Sequence, residues 1–164
     1  MVNIIGAMLT GIACGYLGLK KCEDMKKRVK SLEDITSSLE ILEGEISFSQ
    51  NKLAKAFSNS DRNGLFKDVS KYIKDGVCAA EAIDTAADKN REPLCLNGGD
   101  IDAVKTLGQN IGKTDVNEQI KHIRYVSSLI KNRIGEARGE YTRLGRVYGI
   151  GGILCGLMLV IILI

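Results

Sequence analysis

Apolar and small positions fall into two heptad seams, one near each end of the chain, with a broken polar stretch between them. In the last third, Val116, Ile123, Ile130, Ala137 and Leu144 recur one heptad apart. A second row, Ile120, Ser127, Ile134, Tyr141 and Tyr148, is offset by four. Alternating steps of four and three make one continuous seam on a helix. Near the start, Met25, Leu32, Leu39 and Ile46 repeat every seven residues, with Val29, Ile35 and Leu42 filling the turns between. That seam predicts a helix from Lys21 to Phe48. At ~1.5 Å per residue it is about 40 Å long.

The stretch from Ser49 to Asp115 reads as shorter helices. Leu53, Ala54, Ala56 and Phe57 give a turn or two, and Asn59–Gly64 is a polar turn. Leu65, Phe66, Val69, Tyr72 and Ile73 predict a helix ending near Gly76; Ala79–Asp88 is an alanine-rich one. Pro93 breaks or begins an element. Asn97-Gly98-Gly99 is a loop, and Asp100 is placed to cap the helix carrying Ile101, Val104, Leu107 and Ile111, which Gly112 closes. Asp115 with Glu118 three residues on opens the last helix. Nowhere does apolar–polar alternation signal a strand.

The ends differ from the middle. All 23 Lys/Arg and all 20 Asp/Glu lie between Lys20 and Arg146. Val2–Leu19 and Val147–Ile164 carry no charge, and ~1.5 Å per residue makes each just long enough for the hydrocarbon core of a bilayer. A cleaved signal peptide would need a basic start, and no basic residue precedes Lys20. Gly11-Ile12-Ala13-Cys14 is a poor lipoprotein box for the same reason. The expected architecture is therefore all-α. A transmembrane helix over 1–19 and another over 147–164 flank a helical domain over 20–146, built as an antiparallel coiled-coil stalk with a bundle of short helices. Gly11 with Gly15, and Gly152 with Gly156, have the spacing that lets membrane helices approach closely, although glycine is also common in such helices for no packing reason. Lys20, Lys21, Lys26, Lys27, Arg28 and Lys30 follow the first span; Arg138, Arg143 and Arg146 precede the second. The positive-inside rule places the middle in the cytoplasm and both termini across the membrane.

Composition adds little chemistry. The net charge of +3, few aromatics and no Trp give no platform for nucleic acid. Five cysteines, at 14, 22, 78, 95 and 155, form no Cys-x-x-Cys pair, and with a single histidine they suggest no metal site. His122 sits beside seam residues and has no nucleophile partner in the sequence. Gly108-Gln109-Asn110-Ile111-Gly112-Lys113-Thr114 is one residue short of a phosphate loop and follows a helix pattern rather than a strand, so close packing and a helix stop are the better reading. No catalytic residue, cofactor or metal is expected.

Several stretches together carry a resemblance. They are Leu42-Glu43-Gly44-Glu45-Ile46-Ser47-Phe48 with Leu53-Ala54-Lys55-Ala56-Phe57, then Leu107 through Gln119, then Ile120-Lys121-His122-Ile123, and the glycine-rich entry into a final Ile-rich run. In this order they resemble the stage III sporulation protein AB family of endospore-forming bacteria over nearly the whole chain. Ile83 departs from the pattern, where an aromatic is expected. The resemblance implies a mother-cell membrane protein of a sporulation channel, similar to the inner-membrane platform proteins of type II secretion and type IV pilus machines. It further implies a helical cytoplasmic domain without enzymatic activity. The partners it implies are a cytoplasmic secretion-type ATPase and the other membrane proteins of the complex, with homo-oligomerisation left open. On that reading the far tip of the stalk, with Glu45, Ser49, Gln50, Lys113, Asp115 and Gln119, is the expected docking surface. The plainer role for Asp115 and Gln119 is to cap the helix. The alternative is a pore subunit built from the glycine faces, against which stands the lack of a polar stripe in either span.

Overall fold

The computed structural model describes residues 2–48, 52–112 and 114–163. Six α-helices and one 3-10 turn make up these residues, and no strand occurs among them. They are α1 (Val2–Phe48), α2 (Leu53–Ser60), α3 (Leu65–Lys74), α4 (Ala79–Asn90), α5 (Gly98–Thr106) and α6 (Val116–Leu163), with the 3-10 turn at Leu107–Gln109. The helix expected from Lys21 thus begins at Val2, because nothing between Val2 and Lys21 stops a helix. The chain divides into two compact units, Arg28–Gly135 and residues 1–27 with 136–164, and the boundaries fall inside α1 and α6.

In the Arg28–Gly135 unit, α1 and α6 run antiparallel. Arg124 Nη2 lies 2.7 Å from Glu43 Oε1, and Lys131 Nζ lies 3.1 Å from Glu40 Oε1. The predicted seams are partly right. Leu32, Leu39 and Leu42 of α1 and Ile123 and Ile130 of α6 are buried. But α1 also buries Arg28, Ser31, Thr36 and Ser38 outside that seam, more than a two-stranded coiled coil requires. The extra breadth faces the short helices: Asp100 of α5 binds Arg28, and Asn63 donates to the Ser31 carbonyl at 3.4 Å. The unit is a bundle, not a bare stalk. Val116 is 49% exposed, because a seam residue in the first turn of a helix has no turn before it to share the contact.

The short helices pack in order, α2 on α3, α3 on α4, and α4 on α5 and the 3-10 turn. Phe57 and Phe66 meet edge to face with ring centroids 5.3 Å apart, and both are fully buried. Asp61 accepts from the backbone N–H of Gly64, Phe66 and Lys67 and so satisfies the first turn of α3. Gly76, at φ 90°, ends α3: Val77 N–H bonds the Tyr72 carbonyl and Gly76 N–H that of Ile73, a Schellman motif that a β-carbon would strain. Asp68 joins α3 to α4, accepting from Lys89 at 3.0 Å and Asn90 at 2.8 Å. Burial pushes its pKa up, but these two donors outweigh burial and hold the carboxyl below the usual value.

No helix formed by the described residues is long and apolar enough to cross a membrane. The flanking spans expected over 1–19 and 147–164 are therefore not carried by the fold as described. The side chains of most residues in both ranges lie outside the described ones. In this second unit, an added β-carbon on Gly145 would lie 3.6 Å from Cys22 Sγ, so α1 and α6 lie side by side there too.

Two measurements check this packing. Leu39→Ala lowers the free energy of unfolding by about 2–5 kcal/mol in chemical denaturation, whereas Val116→Ala changes it by no more than about 0.5 kcal/mol. Because the folded-state pKa of Asp68 is depressed, its contribution is present above the unfolded pKa and is lost as pH falls through the lower folded value. Asp68→Asn therefore flattens the acid limb of the stability–pH curve and leaves its neutral shape unchanged.

Candidate partner-binding surface

The residues expected at the tip fare differently. Gln50, Ser49 and Lys113 lie outside the described residues. Glu45 is half-buried near the end of α1. Asp115 is exposed directly before α6, and its carbonyl accepts from Gln119 N–H at 3.0 Å. The Gln119 side-chain amide turns back to the Thr114 carbonyl at 2.7 Å. Both bonds belong to the first turn of α6, and they leave the Asp115 side chain exposed. Lys121 is drawn to this end: Glu118 accepts from it at 2.9 Å and, with Asp115 farther off, raises its pKa.

The Gly108–Gly112 segment forms the 3-10 turn and its exit. Gly108 is buried, and an added β-carbon would lie 3.0 Å from Ala80 Cα, so glycine here permits close contact with α4. Gly112, at φ 75°, takes a conformation that favours glycine. The nearby His122 is half-buried. Its Nε2 lies 2.8 Å from the Thr106 carbonyl, which can only accept, so this nitrogen carries the proton. Nδ1 faces the Asn110 amide at 3.4 Å. His122 therefore ties α6 to the end of α5.

The glycine pairs expected to pack membrane helices find no support at Gly15, where a β-carbon would meet no atom within 4 Å. Gly11, Gly152 and Gly156 fall where side-chain surroundings are not described. Close packing occurs instead at Gly145, where a β-carbon would sit 3.2 Å from the Tyr141 ring.

The most consequential polar contact in the Arg28–Gly135 unit is one the sequence did not announce. Arg28 Nε donates to Asp100 Oδ2 at 2.7 Å and Nη2 donates to Oδ1 at 3.0 Å, a bidentate pair with Asp100 fully buried. Asp100 is not the cap of α5 but its third residue. Asn97 is the N-cap: its side chain accepts from Asp100 N–H at 2.8 Å, and Asp100 Oδ2 accepts from Asn97 N–H at 3.0 Å. The Asn-x-x-Asp spelling of a capping box is local, whereas nothing near Arg28 in sequence sets it apart from the other cations of the basic flank. Removing one partner takes the bidentate bonds from a charge that is buried. Asp100→Ala should cost about 3–5 kcal/mol in denaturation, and the double variant Arg28→Met/Asp100→Leu should recover a substantial part of the loss.

The comparisons with known proteins agree on one family. The model of stage III sporulation protein AB matches residues 3–164. No curated protein matches the chain. A solved structure described as stage III sporulation protein AB (SpoIIIAB) is similar in fold, with a TM-score of 0.64 and 21% identity, covering 70% of this chain and 96% of that one. With its family model matched from residue 3 to residue 164, the chain belongs to the stage III sporulation protein AB family and has its place in a multi-protein sporulation complex.

Proposed function

We propose that the protein is a non-enzymatic platform component of the sporulation complex, anchored in the mother-cell membrane around the forespore. On this reading the Arg28–Gly135 unit is cytoplasmic, both termini lie on the opposite side, and the unit docks a cytoplasmic secretion-type ATPase. The observation that carries the anchoring is apolar surface left bare. Tyr16, Leu17 and Leu19 of α1 are 51–65% exposed. Val147, Ile150, Leu154 and Met158, spaced to share one side of α6, are 60–64% exposed. Each Å² of apolar surface left in water costs roughly 25 cal/mol, and proteins in water seldom show such stripes. Lipid removes that cost. The uncharged ends seen in the sequence supply the length, and the basic residues that follow Leu19 favour a cytoplasmic middle.

The docking part rests on the family and on the accessible start of α6, where Asp115 and Glu118 are exposed. From sporulating cells, tagged protein should resist carbonate extraction and co-purify with the ATPase of the complex. Glu45→Lys combined with Asp115→Lys should lower ATPase recovery about tenfold, as opposed charges at an interface do. A protein that washes off the membrane would refute the anchoring; one that stays without bringing the ATPase would refute the docking. Cys78 is an exposed free thiol and reports sidedness. An impermeant maleimide should leave it unmodified in intact cells and label it after lysis.

A further inference from the structure

Two neighbouring helices of the Arg28–Gly135 unit present stripes of opposite charge that are mostly unpaired among the described residues. On α3, Lys67, Lys71 and Lys74 are exposed at steps of four and three and line one side of the helix. On α4, Glu81, Asp84 and Asp88 are exposed at steps of three and four. Each stripe covers about 10 Å of helix, so the two match in length. The imbalance is regional. Residues 52–76 hold six Lys/Arg and three Asp, and residues 79–106 hold six Asp/Glu and three Lys/Arg.

Little of this charge is neutralised locally. Asp88 is taken by Lys105 at 2.8 Å. Lys67, Lys71, Lys74, Glu81, Asp84 and Asp102 make no ion pair among the described residues. Beyond Asp84 an open groove of about 520 Å³ runs beside the contact of α4 with α5 and the 3-10 turn, with Asp102 and Lys105 among its lining residues. At Asp84 the acidic stripe thus borders a hollow with room for the end of a long lysine side chain. Lys105, also at this groove, feels the surrounding acids: its hydrogen bond to Asp88, then the fields of Asp88, Asp84 and Asp102, raise its pKa.

We propose that this surface is self-complementary and pairs two copies of the chain about a two-fold axis, the Lys67–Lys71–Lys74 stripe of each lying over the Glu81–Asp84–Asp88 stripe of the other. Because α3 and α4 pack side by side, one rotation brings both contacts together, and the assembly closes as a dimer. Within one copy the two stripes belong to adjacent helices and cannot face each other; a second copy can face both. Such an interface is governed by charge and is weakened by salt, since screening at 0.1 M already acts over about 10 Å. The proposal does not depend on ATPase docking.

The test uses the full chain in detergent with two different affinity tags. At low salt one tag should capture the other, and capture should fall about tenfold when salt is raised towards 1 M, where screening acts over about 3 Å. Lys71→Glu/Lys74→Glu and Glu81→Lys/Asp84→Lys should each abolish self-capture, with unchanged helical circular dichroism. Mixed together, the two variants should pair as well as the native protein, because both contacts regain opposite charges. Absence of native self-capture would overturn the proposal, as would capture indifferent to both variants, which would place any pairing in the apolar ends. Failure of the mixture to pair, or native assembly past a dimer, would overturn it as well.

Discussion

A carboxylate with no access to water has to be met on every side, and Asp100 is such a carboxylate. Two guanidinium donors and one backbone N–H reach its two oxygens. Taking both charges out of water costs several kcal/mol per ion, so the pair is tolerable only where its geometry is good. That requirement fixes three things together. It sets where α5 begins, because the same carboxylate completes the capping box. It sets which side of α1 faces the short helices, because Arg28 must reach inward. It also fixes the distance between α1 and α5, because a bidentate pair has little slack.

The short helices depend on that arrangement for a wall to pack against. None is longer than twelve residues, and isolated helices of that length are marginal in water. Their apolar sides, Phe57, Phe66, Val69, Ile83, Ala86 and Val104, are buried only because the row folds against longer helices. Polar joints at their ends then spare the backbone: Asp61 at the start of α3, Gly76 at its end, and Asn97 at the start of α5.

The class of fold was plain in the sequence, and so were the helices, since period and punctuation are local properties. Leu65 to Gly76 and Ala79 onward were placed closely, because Gly64, Gly76 and Asn97 mark boundaries by their own backbone chemistry. What escaped was anything that depends on a distant neighbour. Arg28 looked like one more cation of a basic flank, since nothing near it in sequence points to Asp100, 72 residues away. A heptad count is silent about buried positions of α1 off the seam, which here include serine and threonine. Glycine spacing does not single out Gly145, which the Tyr141 ring crowds, while Gly15 has open space around it. At the start of α6 the Gln119 side chain turns back to the Thr114 carbonyl, a local contact, while Asp115 stays exposed.

The breadth of the buried side of α1 has a consequence for how this protein can change over time. Between Arg28 and Leu42 only Lys30 and Glu40 are exposed, and Glu40 is engaged with Lys131. A helix buried on one side tolerates drift on the other; this segment has almost no other side. Loss or gain of one residue within it would turn everything beyond by about 100° and present serine or glutamate where leucine belongs. The connections between the short helices have no such phase to keep. Variation in length among relatives is therefore expected to collect in those turns, while α1 keeps its residue count.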